Sequence, residues 1–99
     1  GVYCAGKAAV CHYTRVLATE LGPHKINVNA IAPTFVNTPF VAKLLQEDAE
    51  LRQDVISRIP LGRIADPEDV VGAAVYLASP APDMVTGHTL LVDGGWTAV

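Results

Sequence analysis

Ile26-Asn27-Val28-Asn29-Ala30-Ile31-Ala32-Pro33 is the stretch that decides the fold. Its β-branched Ile26, Val28 and Ile31 favour extended backbone, Pro33 closes it, and neither face carries a charge. The run Ile26–Ala32 therefore predicts a strand buried on both faces, as in a parallel sheet. Immediately upstream, Tyr3 to Leu21 are helix formers, with Val10, Tyr13 or Thr14, Leu17 and Leu21 in one stripe at helical spacing and Gly22-Pro23 as the stop. Ala8, Ala9, Cys11, Val16 and Ala18 carry apolar character around most of the remaining circumference. A helix apolar on nearly two sides needs more than one neighbour.

Downstream, Pro33 to Pro39 forms a polar loop bounded by prolines, and Thr38-Pro39 pairs an N-cap with a residue suited to the first helical turn. A short helix over Phe40–Gln46 is expected after it. Asp48 caps a second, reaching about Arg58, with Leu51, Val55 and Ile59 at i, i+4 and i+8. Asp66-Pro67-Glu68-Asp69 starts a third, with Asp66 as cap and acids in the first turn, which runs through Leu77 and stops before Pro80. Thr89-Leu90-Leu91-Val92 reads as a second strand, ended by the turn Asp93-Gly94-Gly95. Helix, strand, helices and strand in alternation make the fold class α/β with a parallel sheet. Two strands do not complete such a sheet, so the remaining strands are expected from elsewhere in a longer polypeptide. The only methionine, Met84, lies far from Gly1, which agrees with that expectation.

Composition narrows the function classes. Of 99 residues, 51% are hydrophobic and 17% charged, and 7 Lys+Arg against 10 Asp+Glu leave a net charge of −3. The basic residues stand singly, with no patch for a phosphate backbone, so no nucleic-acid partner is expected. Mean hydropathy is positive, more than so small a core conceals, and part of the apolar surface is expected to face a partner or residues missing from this chain. Cys4 and Cys11, seven residues apart on a helix, lie roughly 10 Å from each other, outside disulfide reach. His12, His24 and His88 fall in three separate elements and, with the cysteines, give no metal-ligand spacing. No metal, no membrane span and a cytoplasmic location are the resulting expectations.

Tyr3 and Lys7 are four residues apart on the first helix, on one face, with Cβ atoms roughly 6 Å apart. A neighbouring positive charge stabilises a phenolate, so the pair suits proton exchange; taken alone, the spacing reads first as an ordinary surface pair. The surrounding motifs decide between these. Tyr3-Cys4-Ala5-Gly6-Lys7, the Ile26–Pro33 run, Thr38, Pro60-Leu61-Gly62-Arg63, Pro67-Glu68-Asp69-Val70 and Leu91-Val92-Asp93-Gly94-Gly95, in that order, resemble the C-terminal portion of a short-chain dehydrogenase/reductase, over the whole chain.

The resemblance implies a Rossmann-like, doubly wound parallel sheet, of which residues 1–99 form the C-terminal part of a single NAD(P)-binding domain, the N-terminal cofactor half lying outside. It implies NAD or NADP as cofactor and hydride exchange with a secondary alcohol or ketone. Tyr3 would be the catalytic acid/base, and Lys7 would assist it and bond the nicotinamide ribose. The loop after Pro33 would face the cofactor, with the Val36 backbone at the carboxamide and the Thr38 hydroxyl at carboxamide or pyrophosphate; Thr38 is read equally well as a plain cap. The family's catalytic Ser and Asn and its glycine-rich loop have no counterpart among these residues. Thr34 departs from the family's usual Gly, a residue that permits positive φ. The Pro39–Pro60 excursion corresponds to the substrate lobe, Phe35, Phe40, Leu44 and Leu45 would line a partly apolar pocket or serve as plain packing, and Arg63 with Glu68 or Asp69 reads as a structural ion pair. The apolar first helix implies a homodimer or homotetramer. A different class of function, a non-enzymatic Rossmann-like binding or oligomer-assembly module, fits the same apolar surface without needing Tyr3 and Lys7.

Overall fold

The computed structural model describes residues 1–99. It contains α1 (Val2–Leu21), β1 (Ala30–Pro33), α2 (Pro39–Glu47), α3 (Ala49–Ser57), α4 (Pro67–Ala78) and β2 (Thr89–Val92), with 3₁₀ turns over Gly22–His24 and Trp96–Ala98. The strands pair in one two-stranded sheet. Ala30 N–H donates to His88 C=O at 2.9 Å and Thr34 N–H to Val92 C=O at 3.3 Å, a constant offset that makes the pair parallel. Two compact units share the chain: residues 1–31 with 74–90, and residues 32–73 with 91–99.

In the first unit α1 buries Thr14 and Ala18, with Cys11, Leu17 and Leu21 half-covered beside them. The Thr14 hydroxyl donates to Val10 C=O at 2.8 Å, which satisfies its polar atom. Val10, expected in the buried stripe, is exposed, as are Val2, Tyr13 and Val16. The helix does not end on a left-handed glycine. Gly22 stays right-handed, since without a Cβ it tolerates helical backbone before Pro23, and the reversal falls on Lys25 at φ 59°.

The strand is shorter and later than the expected Ile26–Ala32. Residues 27–29 are occupied otherwise: Asn27 Nδ2 donates to Asp83 C=O at 2.9 Å, Val28 N–H to Thr86 Oγ1 at 3.0 Å, and Asn29 Nδ2 to Val85 C=O at 2.8 Å. Gly87 N–H donates to Val28 C=O at 2.7 Å. Side chains thus replace the ladder until Ala30. Ala30 to Ala32 are half-buried rather than buried on both faces, because the sheet has a single partner strand.

In the second unit both helix caps fall where expected. Thr38 Oγ1 accepts Val41 N–H at 3.4 Å and Asp48 Oδ1 accepts Leu51 N–H at 3.0 Å. Leu45, Val55, Ile59 and Ala65 are buried and form its core. The cap of α4 is reversed: Asp69 Oδ2 reaches back to Asp66 N–H at 2.8 Å, since Arg63 holds the Asp69 carboxylate at 2.7 and 3.0 Å beside that N–H. Asp69, and not Glu68, is the arginine's partner. After β2, Asp93 accepts Gly95 N–H and both Thr97 N–H and its hydroxyl, and Gly94 and Gly95 take positive φ.

Candidate functional site

Tyr3 and Lys7 lie in the first two turns of α1, where Ala- and Gly-rich neighbours leave both side chains open to solvent. Lys7 Nζ stands 5.5 Å from the centre of the Tyr3 ring, within cation–π range. Tyr3 is 74% exposed. Its hydroxyl bonds no group of the chain, Lys7 makes no ion pair, and the first turn holds no acidic residue. The pair is therefore a phenol beside an uncompensated ammonium, both available to an outside molecule. Cys4, between them, is a free and exposed thiol.

Pro33, Val36 and Thr38 lie in the second unit. Val36 forms a parallel bridge with Ala65: Ala65 N–H donates to Phe35 C=O at 3.1 Å and Asn37 N–H to Ala65 C=O at 2.7 Å. In a parallel bridge the flanking residues make the bonds, so the Val36 amide points away from Ala65. Its C=O accepts Thr38 N–H at 2.7 Å, and its N–H donates to nothing in the chain. The Thr38 hydroxyl accepts from Val41, yet its own proton has no acceptor. A free, half-buried N–H two residues before a free hydroxyl can hold an amide or an oxyanion. Thr34 keeps negative φ and donates to Val92, so the missing glycine is not required by this loop.

The proposed lobe residues separate by environment. Leu45 is buried, Phe35 sits with its ring centre 6.1 Å from that of Trp96, and Phe40 is 77% exposed. The free Val36 N–H depends on a bridge to a residue 29 positions away, and no local sequence signal announces it.

Known proteins resemble this chain over nearly its full length. The family whose description is Enoyl-(Acyl carrier protein) reductase matches residues 1–97. 2-dehydro-3-deoxy-D-gluconate 5-dehydrogenase of Dickeya dadantii is 48% identical over 96 residues, covering 97% of this chain and 38% of the relative. Bos taurus L-xylulose reductase is 46% identical over 97 residues, covering 98% and 39%. The crystal structure of an Agrobacterium tumefaciens protein with bound NADP, its suggested activity a 2-deoxy-D-gluconate 3-dehydrogenase, superposes with a TM-score of 0.92 at 45% identity, covering 98% of this chain and 39% of that one. The chain thus spans about two-fifths of the length of the relatives it matches. At this likeness its α/β fold is that of part of a Rossmann-type domain.

Proposed function

The chain belongs to the short-chain dehydrogenase/reductase family, and from that premise we propose that it supplies the proton-transfer pair and part of the cofactor site of an NAD(P)-dependent oxidoreductase acting on a small secondary alcohol or ketone. The observation that carries this reading is the Lys7 ammonium 5.5 Å from the Tyr3 ring, with neither polar group engaged elsewhere. The 99 residues then form one portion of a single cofactor-binding domain, and the substrate is a small molecule.

When bound, the nicotinamide supplies or accepts the hydride. Tyr3 Oη gives its proton to the oxygen of a ketone, or takes one from an alcohol, and the Lys7 ammonium stabilises the phenolate formed. Lys7 also donates toward the ribose. The unpaired Val36 N–H suits the oxygen of a carboxamide, and the Thr38 hydroxyl a carboxamide or phosphate oxygen. These groups fit a dinucleotide in kind, since each is a donor without a partner in the chain. Either NAD or NADP serves this chemistry.

The exposed Val10, Tyr13 and Val16 on α1 support self-association, as a homodimer or homotetramer in the cytoplasm. They also favour the second reading, an assembly module without turnover. Tyr3→Phe separates the two. For an enzyme, turnover of the intact protein falls on the order of 10²- to 10⁴-fold with NAD(P) affinity retained; turnover within a few fold of the parent removes Tyr3 from the reaction.

A further inference from the structure

Trp96 packs against the loop that carries the free Val36 amide, and both belong to the second unit. Its ring centre lies 6.1 Å from that of Phe35, with the planes tilted by 37°, within the range of favourable aromatic pairs. Both residues are half-buried. The turn that carries Trp96 is fixed from within. Trp96 N–H donates to Asp93 C=O at 3.1 Å, while the Asp93 carboxylate accepts Gly95 N–H at 3.0 Å, Thr97 N–H at 3.0 Å and the Thr97 hydroxyl at 2.7 Å. Gly95 makes the reversal at φ 93°, where a side chain would be strained. One residue before Asp93, Val92 C=O accepts Thr34 N–H at 3.3 Å. Turn and loop are therefore joined twice, backbone to backbone at Thr34 and ring to ring at Phe35.

Phe35 C=O and Val36 N–H are the two ends of one trans peptide plane, so they point in opposite directions. Ala65 N–H holds the carbonyl end at 3.1 Å, which sends the Val36 N–H outward. A single hydrogen bond at one end is a hinge, about which the plane can still swing as the Phe35 dihedrals change. The Phe35 ring branches from the Cα beside that plane, and its seat against Trp96 removes the remaining freedom. A donor held in its bound direction gives more affinity than one that must be oriented on binding.

We propose that Trp96 is a positioning residue for the nicotinamide end of the cofactor: through the Phe35 ring it fixes the direction of the Val36 N–H toward the carboxamide oxygen. The inference rests on the Val36 N–H being the carboxamide donor of the proposed function. Trp96 needs no contact with the cofactor in this role.

The test measures, by calorimetry on the intact protein, the affinity for NAD(P) and for the same dinucleotide with pyridine in place of nicotinamide, which lacks only the carboxamide. The parent should prefer the nicotinamide form about fivefold, the scale of one neutral hydrogen bond. Trp96→Ala should lose that preference, with nicotinamide binding weakened about fivefold and pyridine binding within about twofold of the parent. Trp96→Phe, which keeps a ring against Phe35, should restore most of it. Phe35→Leu removes the same contact from the other side and should match Trp96→Ala, with no further loss in the double variant. A preference kept by the folded Trp96→Ala or Phe35→Leu variant, or a loss equal for both dinucleotides, would overturn the positioning role and leave Val36 as the carboxamide donor. A parent without any preference would instead remove Val36 from the carboxamide, and this inference with it.

Discussion

Asn29 and His88 are joined side chain to main chain: Asn29 Oδ1 accepts His88 N–H at 3.0 Å, one residue before Ala30 N–H takes up His88 C=O at 2.9 Å. The same amide donates to Val85 C=O. A single side chain therefore closes the loop before β2 and sets the register in which the two strands begin. A hydrophobic residue here would extend the strand and leave Val85 and His88 unpaired.

Asn29→Ala is accordingly expected to cost about 2 kcal/mol, two hydrogen bonds at roughly 1 kcal/mol each, read from denaturant unfolding of the intact protein. Asn29→Asp keeps the acceptor and loses the donor, so it should be destabilised at neutral pH and should partly recover in acid, where a protonated carboxyl can again donate to Val85. An unfolding midpoint unchanged by Asn29→Ala would mean that the register is held elsewhere.

Two glycines test backbone against space. At Gly94, φ is +60° and an added Cβ would stand 2.6 Å from Ile59 Cγ2, a buried core methyl. Gly94→Ala should destabilise by about 2 kcal/mol or more, combining left-handed strain with overpacking. Gly72 lies inside α4 with nothing within 4 Å of such a Cβ, and Gly72→Ala should stabilise by up to about 1 kcal/mol. Thermal melts of the two variants should shift in opposite directions.

Acid should expose the Arg63–Asp69 contact. The Arg63 hydrogen bond, then the Asp66 N–H, hold the Asp69 carboxyl at about 2 instead of 3.8. A lowered folded-state value means that the unfolded chain takes up the proton first, so the contribution is complete above 3.8 and is lost as pH falls from there toward about 2. Asp93 is also held low, by the Thr97 hydroxyl and then the Gly95 and Thr97 amides. Asp69→Asn should thus flatten, without abolishing, the fall of stability across this window, as followed by urea unfolding at a series of pH values.

Lys7→Met tests the second half of the proposed pair. Removing the ammonium should lower both turnover and NAD(P) affinity, the latter about tenfold, the scale of a hydrogen bond from a charged group. Equal dinucleotide affinity by calorimetric titration would place the ribose elsewhere.

Local chemistry was legible in the sequence by itself. Thr38 and Asp48 cap their helices because a short side-chain oxygen meets the N–H three residues on, whatever surrounds it. Tyr3 and Lys7 share a face because helical spacing requires it. Pairing between distant segments was decided only by the tertiary structure. Asn27 and Asn29 look like strand residues until their carbonyl partners in the 82–88 loop are present to compete with the ladder. The cap of α4 turned around because Arg63 fixed Asp69, and not Asp66, beside the first N–H groups. The amide left free at Val36 follows from its bridge to Ala65. Spacing along a chain sets what a residue can reach within a turn, whereas which long-range partner captures a given donor depends on the competition of all the others in space.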